Sequence, residues 1–452
     1  MRVEQGEKDT IARRRINKLL DRGSFMEVGE HVCARLTSFY QPDEVEESDG
    51  VVTGYGTIDG HLVYIFSQDR DRMGGTFGEM HGQKIVKLYE QAIKARAPII
   101  GMVDCDGFRI EEGLDGLNKF AELYRVQAQA SAVIPQVMVV VGTCGGGMSI
   151  SASMADFIIV EKENGKLFVN PQSIVENTMG INEFKNDYSD VTLPSNDIPE
   201  AVRMLVDVIP ASATAAADPI DTQDDLNRPC LEMNTKTGNG RAIVREISDN
   251  HFFFETKRGW GHDMVTGFIR INGYPIGVVA NNTVKGEKRI TAHGCEKAQT
   301  LIEICEKFHI PILTVTDTEG FNASEEDEKY LPRAAARMVS TLAFASVPKV
   351  NLMTGTIYGS VYSMMNSKGL GADYVFMWED ARANIVNPRS AVDFLFGKYD
   401  EKIAKEYEDT HSSAHALARH GYVDKVIRAE DTRKYLAGAF ETFADMKYGV
   451  RE

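Results

Sequence analysis

Two stretches of the chain have residue types and spacing that support chemistry. In VMVVVGTCGGGMSISAS (residues 137–153) a β-branched run enters a glycine turn and continues into small residues, and VNLMTGTIYGSVYSMM (residues 350–365) repeats the plan. Such a run reads as a buried strand, a tight turn and a helix. The first N–H groups of a helix have no partner within it. Two adjacent ones can cradle an oxyanion, and the helix dipole adds to the effect. This suits a reaction in which negative charge builds on a carbonyl oxygen. Close packing alone explains one glycine turn of this kind, whereas two at matching positions point to two reactants. Cys144 sits beside the first turn, but no histidine lies near it in sequence. It reads as a buried small residue rather than a nucleophile.

The elements that must position these turns are duplicated. Val52-Thr53-Gly54 recurs as Val265-Thr266-Gly267, an offset of 213. At the same offset Asp59-Gly60 meets Asn272-Gly273, Lys84 meets Lys297, and Pro98 meets Pro311. Asp104 meets Asp317, Gly107-Phe108 meets Gly320-Phe321, Gly142 meets Gly355 and Gly146 meets Gly359. The second copy then gains four residues, since Ala155-Asp156 pairs with Ala372-Asp373. Each copy reads as a Gly-turned hairpin, a helix, a strand ending in an acidic-glycine loop, another helix, and the strand that enters the turn. The fold class is therefore α/β, two domains of repeated β-β-α units related by internal duplication. The segment Asn186 to Gly240 reads partly as a linker, and the charged tail after Lys398 as a helical extension.

Composition narrows the function. Fifty Lys and Arg against 66 Asp and Glu give a net charge of −16, which disfavours nucleic acid as a partner. Helix N-termini and a few local cations still permit a phosphorylated small ligand. The six cysteines contain no CxxC pair, which argues against a structural zinc site and a secreted disulfide framework. The first residues, MRVEQGEKDTIARRR, lack the apolar core of a signal peptide. Val126 to Ala155 is uncharged for thirty residues, but Pro135, Gln136 and its glycines favour a buried strand and helix over a membrane span. A cytoplasmic location is expected.

At this point the chain resembles the carboxyltransferase subunit of biotin-dependent acyl-CoA carboxylases and decarboxylases, of the propionyl-CoA carboxylase beta, methylmalonyl-CoA decarboxylase alpha or glutaconyl-CoA decarboxylase alpha type. The resemblance rests on LLDRGSFMEV, DGVVTGYGTIDGHLVYIFSQD, MGGTFGEMHGQKIVKL, VIPQVMVVVGTCGGG, ETKRGWGHDMVTGFIRINGYPIGVVAN and VPKVNLMTGTIYGSVYSMMNSK, and it spans about residues 10 to 400. It implies two tandem crotonase-like domains: residues 1–200 binding acyl-CoA, 201–240 a linker, and 241–452 binding biotin and carrying the helical tail. It implies that the amides of Gly146 and Gly147 hold the thioester oxygen as an enolate develops, and that those of Ser360 and Val361 hold the ureido oxygen of biotin. Gly107, Arg109, Gly359 and Ser363 are implied around the substrate. Biotin is expected on a separate carrier, because no AMKM-like lysine motif occurs. The nearest sequence is Asp445-Met446-Lys447-Tyr448. No metal is expected. The implied partners are the biotin carrier protein, a biotin carboxylase subunit or a membrane decarboxylase subunit, and further copies of the chain, since the family's active site lies between two subunits.

Several positions depart from the family pattern. The usual DSGGAR reads Asp104-Cys105-Asp106-Gly107-Phe108-Arg109, DVPGF reads Asp317-Thr318-Glu319-Gly320-Phe321, and GGAYD reads Gly359-Ser360-Val361-Tyr362-Ser363. An altered acyl group and neutral drift both account for Ser363. Asp106 and Glu319 add carboxylates near where a CoA thioester would lie, and read either as an acid or base or, in preference, as solvated loop carboxylates. His81 and Lys84 either meet the CoA phosphates or are exposed helix residues. Three readings besides the carboxylase stay open: the same transfer run in reverse in a sodium-pumping decarboxylase, a biotin-independent hydratase or isomerase, and a non-catalytic paralogue.

Overall fold

The computed structural model describes residues 9–41, 47–170, 174, 188–215, 219–283 and 288–444. The chain divides into two compact units, Met1–Ala215 and Ala216–Glu452. In the first unit the order is α1 (Ile11–Leu19), β1 (Met26–Glu27), β2 (Val51–Ile58), β3 (His61–Gln68), α2 (Glu79–Ala95) and β4 (Ile99–Cys105). Then come α3 (Leu114–Ser131), β5 (Gln136–Gly145), α4 (Gly147–Ser153), β6 (Phe157–Glu161), β7 (Lys166–Phe168), β8 (Val191–Leu193) and α5 (Ile198–Val208). One sheet runs β1-β2-β3-β4-β5-β6-β8, with β7 on the far end of β5. Asp59-Gly60 turns the β2–β3 hairpin with positive φ at both residues, which the twist of a two-residue hairpin requires. From β3 to β6 the strands are parallel and bury both faces, which is why Val137 to Val141 is apolar without alternation. Helices α2 and α3 pack on one another and bring Ile85, Leu88, Tyr89, Phe120, Leu123 and Val126 into the core.

The second unit repeats this order: α6 (Gly240–Ile247), β9 (Phe254–Thr256), β10 (Met264–Ile271), β11 (Tyr274–Asn281), α7 (Ala292–Lys307) and β12 (Ile312–Thr318). It continues with α8 (Glu325–Phe344), β13 (Lys349–Tyr358), α9 (Val361–Met364), β14 (Tyr374–Trp378), β15 (Arg382–Asn384), α10 (Pro388–Phe396), α11 (Glu401–Tyr407), α12 (Ala414–Arg419), β16 (Lys425–Ile427) and α13 (Thr432–Glu441). The offset of 213 survives in the pairing itself. Tyr64 opposes Ile99 where Gly277 opposes Ile312, and Ile99 opposes Gln136 where Ile312 opposes Lys349.

Two expectations change here. Residues 201–240, read as a linker, fall on both sides of the division at Ala215. Helix α5 buries Ala201, Val202, Leu205 and Val208 and lies against α1, while α6 opens the second unit with Ile243, Val244 and Ile247 inside. The tail after Lys398 is not helical throughout, because β16 extends the second sheet by pairing in parallel with β14. Its three residues are too short to stand out among helix formers. Arg433 of α13, fully buried, fastens the tail: it donates to the Ile247 carbonyl at 2.7 Å and to Asp249 at 2.6 Å. The uncharged run from Val126 to Ala155 is the end of α3, strand β5 and helix α4. Among the described residues no helix is long and apolar enough to cross a membrane.

Candidate active site

Each sheet presents two glycine loops at the carboxyl ends of neighbouring parallel strands, where ligands of open α/β sheets bind. In the first unit these follow β4 (Gly107) and β5 (Gly146). The loops are built by one set of contacts used twice. Asp104, at the end of β4, is buried; its amide donates to Gln68 Oε1 at 3.0 Å, and its carboxylate accepts the Thr143 amide at 3.3 Å. Asp317 does the same with Asn281 Oδ1 at 3.1 Å and the Thr356 amide at 3.0 Å. Gly142 and Gly355 repeat because a Cβ there would lie 2.0 Å and 2.3 Å from these carboxylates. The loop glycines are tied to the segments that lead into α2 and α7: Phe77 N–H donates to the Gly107 carbonyl at 2.8 Å, and Ile290 N–H to that of Gly320 at 2.9 Å. Beside both glycines the space is open.

The turns after β5 and β13 leave donors free. Gly146 has φ +57° and ψ −127°, a conformation essentially restricted to glycine. Its N–H is used, donating to the Phe168 carbonyl of β7 at 3.1 Å. The next two amides, Gly147 and Met148, meet no acceptor among the described residues. Tyr124 Oη donates to the Gly147 carbonyl at 2.8 Å and steadies the turn. In the second unit Gly359 N–H donates to the Asn384 carbonyl of β15 at 2.9 Å, and the amides of Ser360 and Val361 meet no acceptor among the described residues. The offset of 213 maps Gly147 and Met148 onto Ser360 and Val361. The resemblance implied Gly146–Gly147 and Ser360–Val361 as donor pairs; the amides without an acceptor among the described residues are Gly147–Met148 and Ser360–Val361. Sequence alone does not reveal that β7 returns to occupy the Gly146 amide.

Ser360 borders two cavities of the second unit. One, of about 350 Å³, is lined by Gly359, Ser363, Tyr362, Ile385, Leu417 and Tyr422 among others. The other, of about 440 Å³, includes Arg289, Gly320, Phe321 and Tyr358. Ser363 is exposed within the first cavity. Ile385, Leu417 and Tyr422 carried no motif that could have singled them out.

Arg109 does not face the glycine turns. Its guanidinium is buried, 2.6 Å from Asp49 and 2.7 Å from Glu112, and donates to the Thr76 carbonyl at 3.0 Å. Glu112 in turn accepts the Glu79 amide at the start of α2. In the second copy Asn322 holds Asp327 at 2.6 Å, and Asp327 accepts the Ala292 amide at the start of α7 at 2.8 Å. Both side chains therefore steady a carboxylate that caps a helix.

His81 and Lys84 are not exposed helix residues; both are buried. His81 is fully buried, its Nδ1 3.0 Å from the Asp49 carbonyl, and burial lowers its pKa. The corresponding space in the second unit is taken by the Asp263 carboxylate, 2.1 Å from where a Cβ on Gly294 would stand. Lys84 Nζ donates to the carbonyls of Ser48 and Val51, and burial lowers its pKa to about 8. Lys297 likewise donates to the Trp260 carbonyl at 2.9 Å, so the repeated lysine is architectural. Asp106 and Glu319 are partly exposed and ion-paired, with Arg70 at 2.9 Å and Lys288 at 3.2 Å. Asp445-Met446-Lys447-Tyr448 lies outside the described residues.

Cys144 is buried, and burial pushes its thiol well above the ordinary range. Cys105 beside it is pushed up to about 11. Of the six free cysteines only Cys33 is partly exposed. Brief alkylation of the native chain at pH 7.5, read by peptide mass spectrometry, is expected to label Cys33 alone, with the others reacting after denaturation. Native labelling of Cys144 would reopen its reading as a nucleophile.

Known proteins resemble this chain in sequence and in fold. The family model described as "Carboxyl transferase domain" matches residues 3–190 and 194–448. The propionyl-CoA carboxylase beta chain of Cereibacter sphaeroides is 33% identical over 96% of this chain and 91% of its own. The methylmalonyl-CoA decarboxylase subunit alpha of Veillonella parvula is 31% identical over 96% and 90%. The crystal structure of transcarboxylase 12S with methylmalonyl-coenzyme A and methylmalonic acid bound superposes with a TM-score of 0.91 at 29% identity, covering 98% of this chain and 91% of that one. The two units are thus tandem crotonase-like domains, as the resemblance implied. The chain belongs to the carboxyl transferase domain family and is an enzyme of carboxyl transfer.

Proposed function

We propose that the chain transfers a carboxyl group between biotin on a separate carrier protein and the α-carbon of a short-chain acyl-CoA, acetyl- or propionyl-CoA or a near relative. One observation carries the reading: the duplicated turns each leave two adjacent backbone N–H groups without an acceptor among the described residues. The Gly147 and Met148 amides bind the thioester oxygen and stabilise the charge it gains as the enolate forms. Each such donor contributes about 3 kcal/mol to a transition state of this kind. The Ser360 and Val361 amides fit the ureido oxygen of biotin, and the Ile385, Leu417 and Tyr422 walls suit its compact ring. Biotin, when bound, supplies the ureido nitrogen that carries the carboxyl group. Because these donors are backbone groups, the Ser and Val at this turn leave the chemistry intact.

The relatives named propionyl-CoA carboxylase and methylmalonyl-CoA decarboxylase support transfer in either direction. Partners set that direction: a biotin carboxylase subunit for carboxylation, a membrane decarboxylase subunit for the reverse. A cytoplasmic homo-oligomer fits the reading, in keeping with the hexamer assembly described for transcarboxylase 12S. Purified chain incubated with free biotin and malonyl-, methylmalonyl- or glutaconyl-CoA is expected to release CO2 only when biotin is present. Turnover without biotin would favour a hydratase or isomerase, and a folded oligomer inactive on all three esters would be a non-catalytic paralogue.

A further inference from the structure

The cavity of about 440 Å³ beside Ser360 has one lining charge with no ion pair among the described residues. Of its charged lining residues, Glu319 is paired with Lys288 at 3.2 Å, whereas Arg289 is exposed and has no ion pair among the described residues. Arg289 thus stands as a cation without an ion pair on the wall shared with Gly320, Tyr358 and Ser360, in a chain of net charge −16. Duplicated architecture does not explain the arginine. The offset of 213 maps Arg289 onto Thr76, whose hydroxyl donates to the Met73 carbonyl at 2.7 Å. The amide pairs occur in both units; this cation occurs in only one. A guanidinium is planar, permanently charged and shaped to grip a carboxylate through two parallel hydrogen bonds.

We propose that Arg289 binds the carboxylate being exchanged, holding it as an anion beside the Ser360 and Val361 amides. The inference rests on the carboxyltransferase reading. Two carriers present the same anion, a carboxyacyl-CoA and a ureido nitrogen bearing the carboxyl group, and matched ligands distinguish them. Titration calorimetry of the full chain, Arg289→Ala and Arg289→Lys would use methylmalonyl-CoA against propionyl-CoA, and N1-carboxymethylbiotin against biotin. The alanine variant is expected to bind the carboxylated member of one pair about tenfold more weakly or worse, with its uncarboxylated partner changed by less than about twofold. The pair that responds identifies the carrier. Lysine, which keeps the charge but not the fork, should fall between. Equal weakening of propionyl-CoA would assign Arg289 to the CoA phosphates and overturn the proposal, and so would binding that is unchanged for every ligand. Wild-type chain that binds neither pair and releases no CO2 with biotin would defeat the carboxyltransferase reading. If wild type is active and Arg289→Ala binds as it does, only the arginine's role is lost.

Discussion

Replacing Ser360 with proline is expected to lower the kcat of biotin-dependent decarboxylation by about 10²–10³-fold, with little change in thermal stability. Ser360 has φ −66°, the angle that a pyrrolidine ring imposes. Its N–H has no acceptor among the described residues, so proline removes no internal hydrogen bond. What it removes is one of the two donors proposed to hold the ureido oxygen. Ser360→Ala is the matching control: it keeps the amide, discards the hydroxyl and should remain near wild type. The pair separates a backbone mechanism from a side-chain one, because a serine that acted through its hydroxyl would lose activity in both. Turnover of Ser360→Pro equal to wild type would remove this turn from the mechanism. The second unit offers the cleaner test. At Gly147 a Cβ would stand 3.0 Å from Tyr124 Oη, so proline there would disturb packing as well as remove a donor.

Much of this arrangement is visible in the sequence because it is local or repeated. A strand buried on both faces must be apolar, a glycine turn must follow it, and a duplication keeps both in register over a fixed offset. The hairpin turns, the two acidic-glycine loops and the repeated strand-turn-helix at residues 137–153 and 350–365 are of this kind. What the sequence hides depends on partners distant in the chain. The Gly146 amide is lost to a strand that returns twenty residues later. Lys84 occupies a helical position with an ordinary polar neighbourhood in sequence, and only the fold shows that it closes the carbonyls of a turn more than thirty residues upstream. His81 is replaced in the second copy by an acid from another element, so no residue match could flag it. Arg289 carries no signal in the sequence, because cations are common on surfaces and its lack of an ion pair among the described residues is a property of the folded chain alone.

Arg109 shows most sharply how a residue implied by resemblance can serve the scaffold, and its replacement by methionine is expected to be the most destabilising change considered. The guanidinium is 3% exposed and lies against two carboxylates that are themselves fully buried, Asp49 and Glu112. Removing one partner of a buried ion pair typically costs about 3–5 kcal/mol, because the remaining charge has neither water nor a counterion. In a unit of this size that corresponds to a fall in melting temperature of roughly 10 °C. The pH dependence provides an independent check. Burial raises the Asp49 carboxyl to about 6 and Arg109 opposes the rise. A folded pKa above the unfolded one means that the folded state takes up the proton first, so the ionised form costs stability above pH 6 and the cost is relieved as pH falls. Without the arginine the folded pKa rises further. The deficit of Arg109→Met should therefore be largest at pH 7.5 and shrink at pH 5.5, as Asp49 is neutralised. Asn322→Ala in the second unit is the milder counterpart, expected to cost about 1 kcal/mol, since Ser324 and the Ala292 amide still hold Asp327. If Arg109 instead held substrate, its methionine variant would keep the wild-type melting temperature and raise the KM for the acyl-CoA, a result that would return it to the binding site.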